Sequence, residues 1–173
     1  PITACNHDAP CRAKGECYAI KFLMYANTKT AWSENYWMAV NDRDRYFADI
    51  GRYLDKKAPR FFRYHISGDL LDQDYLNRVK DQADCFPDTK FLVFTKMFHL
   101  DFSELPANLS VVWSAWPGLE LPPRPAGIRV AWMQDGKETR VPDDAIDCPG
   151  LCESCGLCWN LPKLKKDVVF HKH

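Results

Sequence analysis

Apolar and polar positions divide this chain into a helical first third and a strand-rich remainder. Residues 1–16 show no period and read as a loop, with turn chemistry at Asn6-His7-Asp8-Ala9-Pro10. From Cys17, the residues Tyr18, Phe22 and Tyr25 recur at i, i+4, i+7 with Ile20 and Leu23 beside them. That spacing predicts a helix, which Asn27 and Thr28 interrupt. Ser33 reads as the N-cap of a second helix through Tyr36, Trp37 and Val40. Residues 43–56 predict a third, with Tyr46, Phe47, Ile50 and Leu54 on one side and Pro59 ending it.

Short apolar runs then predict strands at 60–66, 90–95, 109–114 and 128–133, and a final short one at 168–170. Between the first two lies an amphipathic stretch, 73–85, with Asp72 as its cap. Residues 100–105 read as irregular or briefly helical, and prolines at 117, 122, 123 and 125 mark a loop. Strand–helix–strand order predicts an α/β fold with parallel strands. The later crossovers are too short for full helices. The expectation is therefore a partial or reduced (β/α) barrel with a cysteine-rich N-terminal loop and a C-terminal cluster-binding segment; an open doubly wound sheet is the alternative. Residues 1–146 would form the barrel with its N-terminal loop. Residues 147–173 would form a cysteine-rich segment packed on the same domain.

Composition narrows the function. Lys+Arg and Asp+Glu are both 23 in 173 residues, so net charge gives no reason to expect a phosphate backbone or anionic membrane as partner. The basic run Lys163-Leu164-Lys165-Lys166 reads as solvated surface. No apolar run approaches the ~18 residues of a spanning helix, and no signal peptide is visible.

The eight cysteines change the picture most. Cys148, Cys152, Cys155 and Cys158 fall within eleven residues, spaced C-x3-C-x2-C-x2-C. Four thiolates that close can surround one metal centre with little loop closure. Bacterial ferredoxins hold iron–sulfur clusters at similar density, whereas structural zinc more often uses separated C-x2-C pairs. Cys5, Cys11 and Cys17 form a looser C-x5-C-x5-C group, with His7 or Cys85 as a candidate fourth ligand. Three ligands would leave one iron of a four-iron cluster open. Cys85 alone reads most simply as a buried apolar residue. Two end clusters point to metal rather than disulfides, and to a reducing cytoplasm (a host's, if phage-encoded).

The strand at 60–66 places Arg63 and His65 on one face by alternation, against the apolar rule for a buried parallel strand. Either this is an edge strand, or polar groups project into a ligand-binding mouth at the carboxyl ends of the strands. Ser67-Gly68-Asp69 follows at that end. Gly68 permits close backbone approach, and Asp69 is either a hydrogen-bond acceptor for a ligand or a helix cap. Thr95, Lys96, Ser114 and Trp116 end the neighbouring strands.

Several of these stretches together resemble a phage and bacterial domain family called gene product eighty-eight, itself similar to radical S-adenosylmethionine (SAM) proteins. They are the N-terminal cysteines with Cys17-Tyr18-Ala19 and Lys21, the segments 63–69, 91–95 and 108–114, then Cys148-Pro149 through Cys158-Trp159, and 169–173. The resemblance implies a 4Fe-4S cluster on Cys5, Cys11 and Cys17 whose open iron chelates SAM, cleaved by one electron to a 5′-deoxyadenosyl radical. It implies Ser67, Gly68 and Asp69 as a SAM-binding turn and an auxiliary 4Fe-4S cluster on Cys148, Cys152, Cys155 and Cys158. Tyr18, Thr95 and Ser114 would join the cofactor site, and Arg63, His65 and Asp69 the catalytic one. An electron donor such as flavodoxin or ferredoxin would serve it; the substrate is left unnamed. The usual radical SAM spacing is C-x3-C-x2-C, which the N-terminal trio does not have. Two other readings stand beside this one: a two-cluster electron-transfer or redox-sensing protein, and a zinc-stabilised phage interaction protein.

Overall fold

The computed structural model describes residues 4–5 and 9–171, and for Tyr18 and Glu153 the backbone alone. Four helices come first: α1 (Pro10–Ala13), α2 (Tyr18–Phe22), α3 (Ala26–Asn41) and α4 (Arg43–Lys57). Asn27, Thr28 and Ser33 all lie inside α3, so neither the expected break nor the Ser33 cap occurs. Tyr25 takes the N-cap position without a side-chain bond. A cap is worth only about 1 kcal/mol, so an uninterrupted backbone ladder overrides it. Trp37 and Val40 point outward, and Ala39 is the buried contact of α3. Asp42 ends α3 and caps α4, accepting from Arg45 N. Pro59 follows the left-handed Ala58 that stops α4.

The remainder contains β1 (Phe61–Tyr64), α5 (Gln73–Cys85), β2 (Lys90–Thr95), β3 (Leu109–Ala115), β4 (Arg129–Gln134), β5 (Ile146–Asp147), α6 (Cys152–Cys155), α7 (Leu161–Leu164) and β6 (Val168–His171). Asp72 caps α5 as expected, accepting from Tyr75 N at 2.8 Å. The described strands form one six-stranded sheet in the order β1-β2-β3-β4-β6-β5, parallel throughout. The protein is thus a mixed α/β fold on a parallel sheet.

The strand order dictates which side each connection takes. From β1 to β5 the chain advances across the sheet in one direction. Right-handed crossovers then fall on one face. That face carries the larger core: Tyr75, Leu76 and Val79 of α5, Phe47 and Leu54 of α4, then Leu100, Phe102 and Ile128 of the later connections, over Tyr64, Phe91, Val111 and Trp113. From β5 the chain steps back to insert β6 beside β4. The same handedness rule sends this connection to the opposite face. There Leu161, with Leu157, Cys158 and Trp159 against it, covers Leu92, Val112, Ala131 and Val168. The cysteine-rich segment is therefore the lid of the second face.

Asp167 fixes the step back. It is 5% exposed and accepts from Arg124 Nη1, Val130 N and Trp132 Nε1 at 2.8–3.1 Å. A buried carboxylate so fully bonded holds β6 against β4.

Cys85 corrects an expectation. It is exposed at the end of α5, not buried. The buried stripe of α5 passes through Val79 and Ala83, and two residues beyond Ala83 the helix has turned about 200° away.

Candidate functional site

The C-terminal cysteines are held by the second face of the sheet. Cys148 N donates to Val169 O of β6, and α6 carries Cys152 and Cys155. Gly156 then turns the chain with φ 59°; a Cβ there would stand 2.8 Å from Phe61 Cζ. The close approach lets a 3-10 turn, Cys158–Asn160, settle on the sheet. Trp159 Nε1 donates to Phe62 O at 3.0 Å, and its ring lies 4.9 Å from that of Phe61. Ser110 Oγ donates to Trp159 O, and Lys90 Nζ to Asn160 Oδ1. A small hollow lies among the four cysteines, Leu151, Leu157 and Trp159. Burial pushes the Cys158 thiol up to about 12, and the neighbouring Cys148, Cys152 and Cys155 push it further in the same direction. The Cys158 sulfur thus feels the other three, with the Arg63 cation acting against them.

The N-terminal cysteines gather at the carboxyl end of β2. Cys11 is in α1 and Cys17 precedes α2, while Arg12 Nη1 donates to Cys5 O at 3.2 Å. Burial raises the Cys5 thiol to about 11; Asp69, Cys17 and Cys11 raise it too, and Lys96 opposes them. Burial likewise raises Cys11, again with Cys17 adding and Lys96 opposing. The trio, Asp69 and Lys96 therefore share one neighbourhood. Among the described residues, no group of three or more His, Cys, Asp or Glu is gathered as the ligands of a single ion would be.

Beside the trio lies a cavity of about 180 Å³, lined by Ala4, Trp32, Tyr36, Tyr46, Tyr75 and the turn from His65 to Asp69. His65 Nε2 is 3.0 Å from Tyr75 Oη, which donates to Tyr46 Oη at 3.1 Å. With that hydroxyl hydrogen committed, His65 Nε2–H donates to Tyr75 and Nδ1 is an acceptor. The buried Nδ1 and Ser67 Oγ have no partner among the described residues. Burial brings His65 down to about 3, with the Arg63 charge adding to the effect, so the ring is neutral.

With both cysteine sets and the cavity in place, the comparison with known families can be read. The chain matches the Gene product 88 family over residues 2–161. It belongs to that family. It is similar to the Gene 88 protein of Mycobacterium phage D29, 28% identical over 187 residues that span 89% of this chain and 76% of that protein. No solved structure matches it.

In this Gene product 88 chain the polar residues of the first strand separate. Arg63 and His65 were expected on one face, but β1 ends at Tyr64, and His65 takes a left-handed conformation, φ 61°. The alternation breaks there. His65 turns back to the α5 side, while Arg63 lies over the Phe94 ring, 4.8 Å from its centroid, on the face of the C-terminal cysteines. Asp69 is buried, and its oxygens accept from Leu70 N, Thr95 Oγ1 and Lys96 N at 2.6–2.8 Å. It ties the 65–69 turn to the end of β2. Burial raises its carboxyl, and those three donors work against the rise. Thr95 is buried in the same bond set, also accepting from Met97 N. Gly68 has φ 99°, a backbone that glycine adopts freely. Ser114 is half-buried near the end of β3. His7 and the side chain of Tyr18 lie outside the described residues.

Lys96 belongs to this site and was no more than a strand-end residue in the sequence. Its ammonium sits 6.0 Å from the Trp116 ring centroid, at the mouth that the trio faces. Position was the available signal, since Lys96 is the first residue beyond β2.

Proposed function

We propose that this chain is an iron–sulfur protein that holds two 4Fe-4S clusters and works as a radical-SAM-like enzyme. Cys5, Cys11 and Cys17 hold the cluster with an open iron; Cys148, Cys152, Cys155 and Cys158 hold the auxiliary one. The observation that carries the reading is a 180 Å³ cavity at the carboxyl end of a parallel sheet, lined by Ala4, the neighbour of Cys5, and by Asp69, whose charge acts on Cys5. The sheet itself supports a partial barrel, because β1 to β4 run in sequence with their connections on one face.

The thiols suit such a group. Burial and mutual repulsion hold Cys5 and Cys158 protonated, and a strongly positive centre is what lets neighbouring thiols ionise together. A single zinc would draw its sulfurs to about 2.3 Å from one point. Four cysteines within eleven residues match the density that ferredoxins use for clusters, which favours the four-iron core. When bound, SAM at an open iron supplies one-electron cleavage chemistry.

The chain's own residues would then have simple tasks. Ser67 and Gly68 offer a hydroxyl and an approachable backbone to the cofactor. Asp69, through Thr95, keeps that turn fixed. His65 borders the cavity as a neutral acceptor at Nδ1, and the Tyr46 and Tyr75 rings exclude water. The family resemblance adds Tyr18 and Ser114 as candidates for the cofactor site. A small carrier such as flavodoxin or ferredoxin would bring the electron in a reducing cytoplasm, the host's if the chain is phage-encoded.

The test is anaerobic purification with iron, sulfide and zinc analysis, followed by reduction with SAM present. Roughly eight iron per chain and SAM cleavage are expected, and Cys11→Ser should lose about half of the iron. Loaded protein that neither binds nor cleaves SAM would instead be a two-cluster electron-transfer or redox-sensing protein, a reading that the closed four-thiol set favours. Zinc without sulfide would mark a metal-stapled interaction protein.

A further inference from the structure

Among the described residues, no side-chain hydrogen bond or ion pair holds Arg63 on its own face. It stands on the strand at the sheet's edge, paired in register with Leu92, over the face that the cysteine segment covers. Its Nε is buried and unpartnered among the described residues, and no carboxylate lies within ion-pairing distance of it there. Leaving a guanidinium N–H dry and unbonded costs free energy that an apolar side chain would not. The Phe94 ring beneath it offers a cation–π contact at 4.8 Å, which steadies the plane but takes no hydrogen bond. Phe94 packs in the same cluster as Cys148 and Cys158, and Trp159, next to Cys158, is bonded to the carbonyl of Phe62, next to Arg63.

We propose that Arg63 is the counter-ion of the sulfur centre on Cys148, Cys152, Cys155 and Cys158, donating N–H hydrogen bonds to its sulfurs and setting its reduction potential. The inference rests on the cluster reading given above and names the residue that tunes that centre. Four thiolates around a cluster carry net negative charge, and reduction adds one more. A buried cation with a free N–H stabilises the more negative state, so it raises the potential. The same group explains why the segment needs no carboxylate-paired arginine there: the anion arrives with the metal. Arg63 acts through the cluster and touches no substrate, so it is a positioning residue.

The experiment uses the full chain, reconstituted anaerobically with iron and sulfide, as wild type and as Arg63→Met and Arg63→Lys. Each is also made with Cys5, Cys11 and Cys17 replaced by serine, so that one cluster is observed alone. Midpoint potentials come from redox titration followed by electron paramagnetic resonance. Arg63→Met should make the reduced state about tenfold less favoured, a fall of about 59 mV for one electron. Arg63→Lys should recover at least half of that fall. Without metal, Arg63→Met should leave the denaturant midpoint nearly unchanged, because the lost Nε–H had no partner and a methionine sulfur can replace the guanidinium against the Phe94 ring.

An unchanged potential in a loaded Arg63→Met overturns the inference while leaving the cluster reading intact. Absence of iron and sulfide from the wild-type C-terminal set overturns the cluster reading itself. Should Arg63→Met fold but not load, loading by Arg63→Lys supports the inference, and failure of both overturns it.

Discussion

The two cysteine regions are built in opposite ways. The C-terminal set is fastened to the sheet by Trp159, Gly156 and Asn160, with a ring, a close backbone approach and three side-chain hydrogen bonds to β1, β2 and β3. The N-terminal set has Cys11 in one short helix and Cys17 at the start of another, and meets the sheet through its neighbourhood with Asp69 and Lys96. The first has four thiols and a hollow too small for a substrate; the second has three thiols beside a cavity of about 180 Å³. The fastening concerns the backbone and Trp159 more than the sulfurs, since Cys152 and Cys155 are exposed while Cys5, Cys11 and Cys17 are partly buried. Under the proposed reading, ligand number and the neighbouring cavity would give the two sets different tasks.

The largest effect should come from breaking the tighter attachment. Trp159→Ala removes the ring against Phe61 and leaves Phe62 O without its donor, and should cost about 3 kcal/mol. Denaturant unfolding of metal-free protein measures it. Cys11→Ala, on the looser side, should change stability by less than about 0.5 kcal/mol. Equal losses would erase the contrast between the regions.

Gly156→Ala comes next, at about 2 kcal/mol, since it needs a left-handed alanine whose Cβ overlaps Phe61. Gly150→Ala has positive φ but nothing within 4 Å, so the difference between the two variants isolates the contact.

Asp69→Asn should cost about 1–2 kcal/mol, because one acceptor oxygen becomes a donor facing donors. If the turn it holds is the cofactor turn, SAM binding measured by calorimetry on loaded protein should weaken with it.

The remaining effect concerns pH and is small only near neutrality. His65 falls from 6.5 to about 3 on folding, so below pH 6.5 the unfolded chain takes up a proton that the folded chain refuses. Stability from this group is full above pH 6.5 and lost as pH falls toward 3. The raised Asp69 carboxyl slopes the other way, its contribution fading as pH rises. Subtracting the pH profile of His65→Gln from that of wild type should leave a curve that declines below pH 6.5; a flat difference would show that the ring is not held neutral.

Much of this was legible in the sequence. The helix 73–85 and its Asp72 cap are found as read, and strands 90–95, 109–115 and 129–134 fall within one residue of expectation. Those stretches combine strong periodicity with a local signal at their ends. The two-residue β5 gave no run to detect, and strand order is set by packing rather than by any local pattern. The separation of Arg63 from His65 hinges on a positive φ at histidine, which no residue type announces. Spacing identified both cysteine groups. It did not reveal that one covers the back of the sheet and the other its mouth, because the side that a connection takes follows from the direction of the strand step.

That step also orders events in time. Synthesis delivers β5 and all four C-terminal cysteines before β6, which is the strand neighbour of β5 and must slide between it and β4. Until residues 168–171 emerge, the cysteine segment has no strand to close against. Once Asp167 finds Arg124 and Trp132, the loop is shut. The order of manufacture thus makes the cysteine segment among the last parts of the fold to be fastened, and the arrival of β6 completes it.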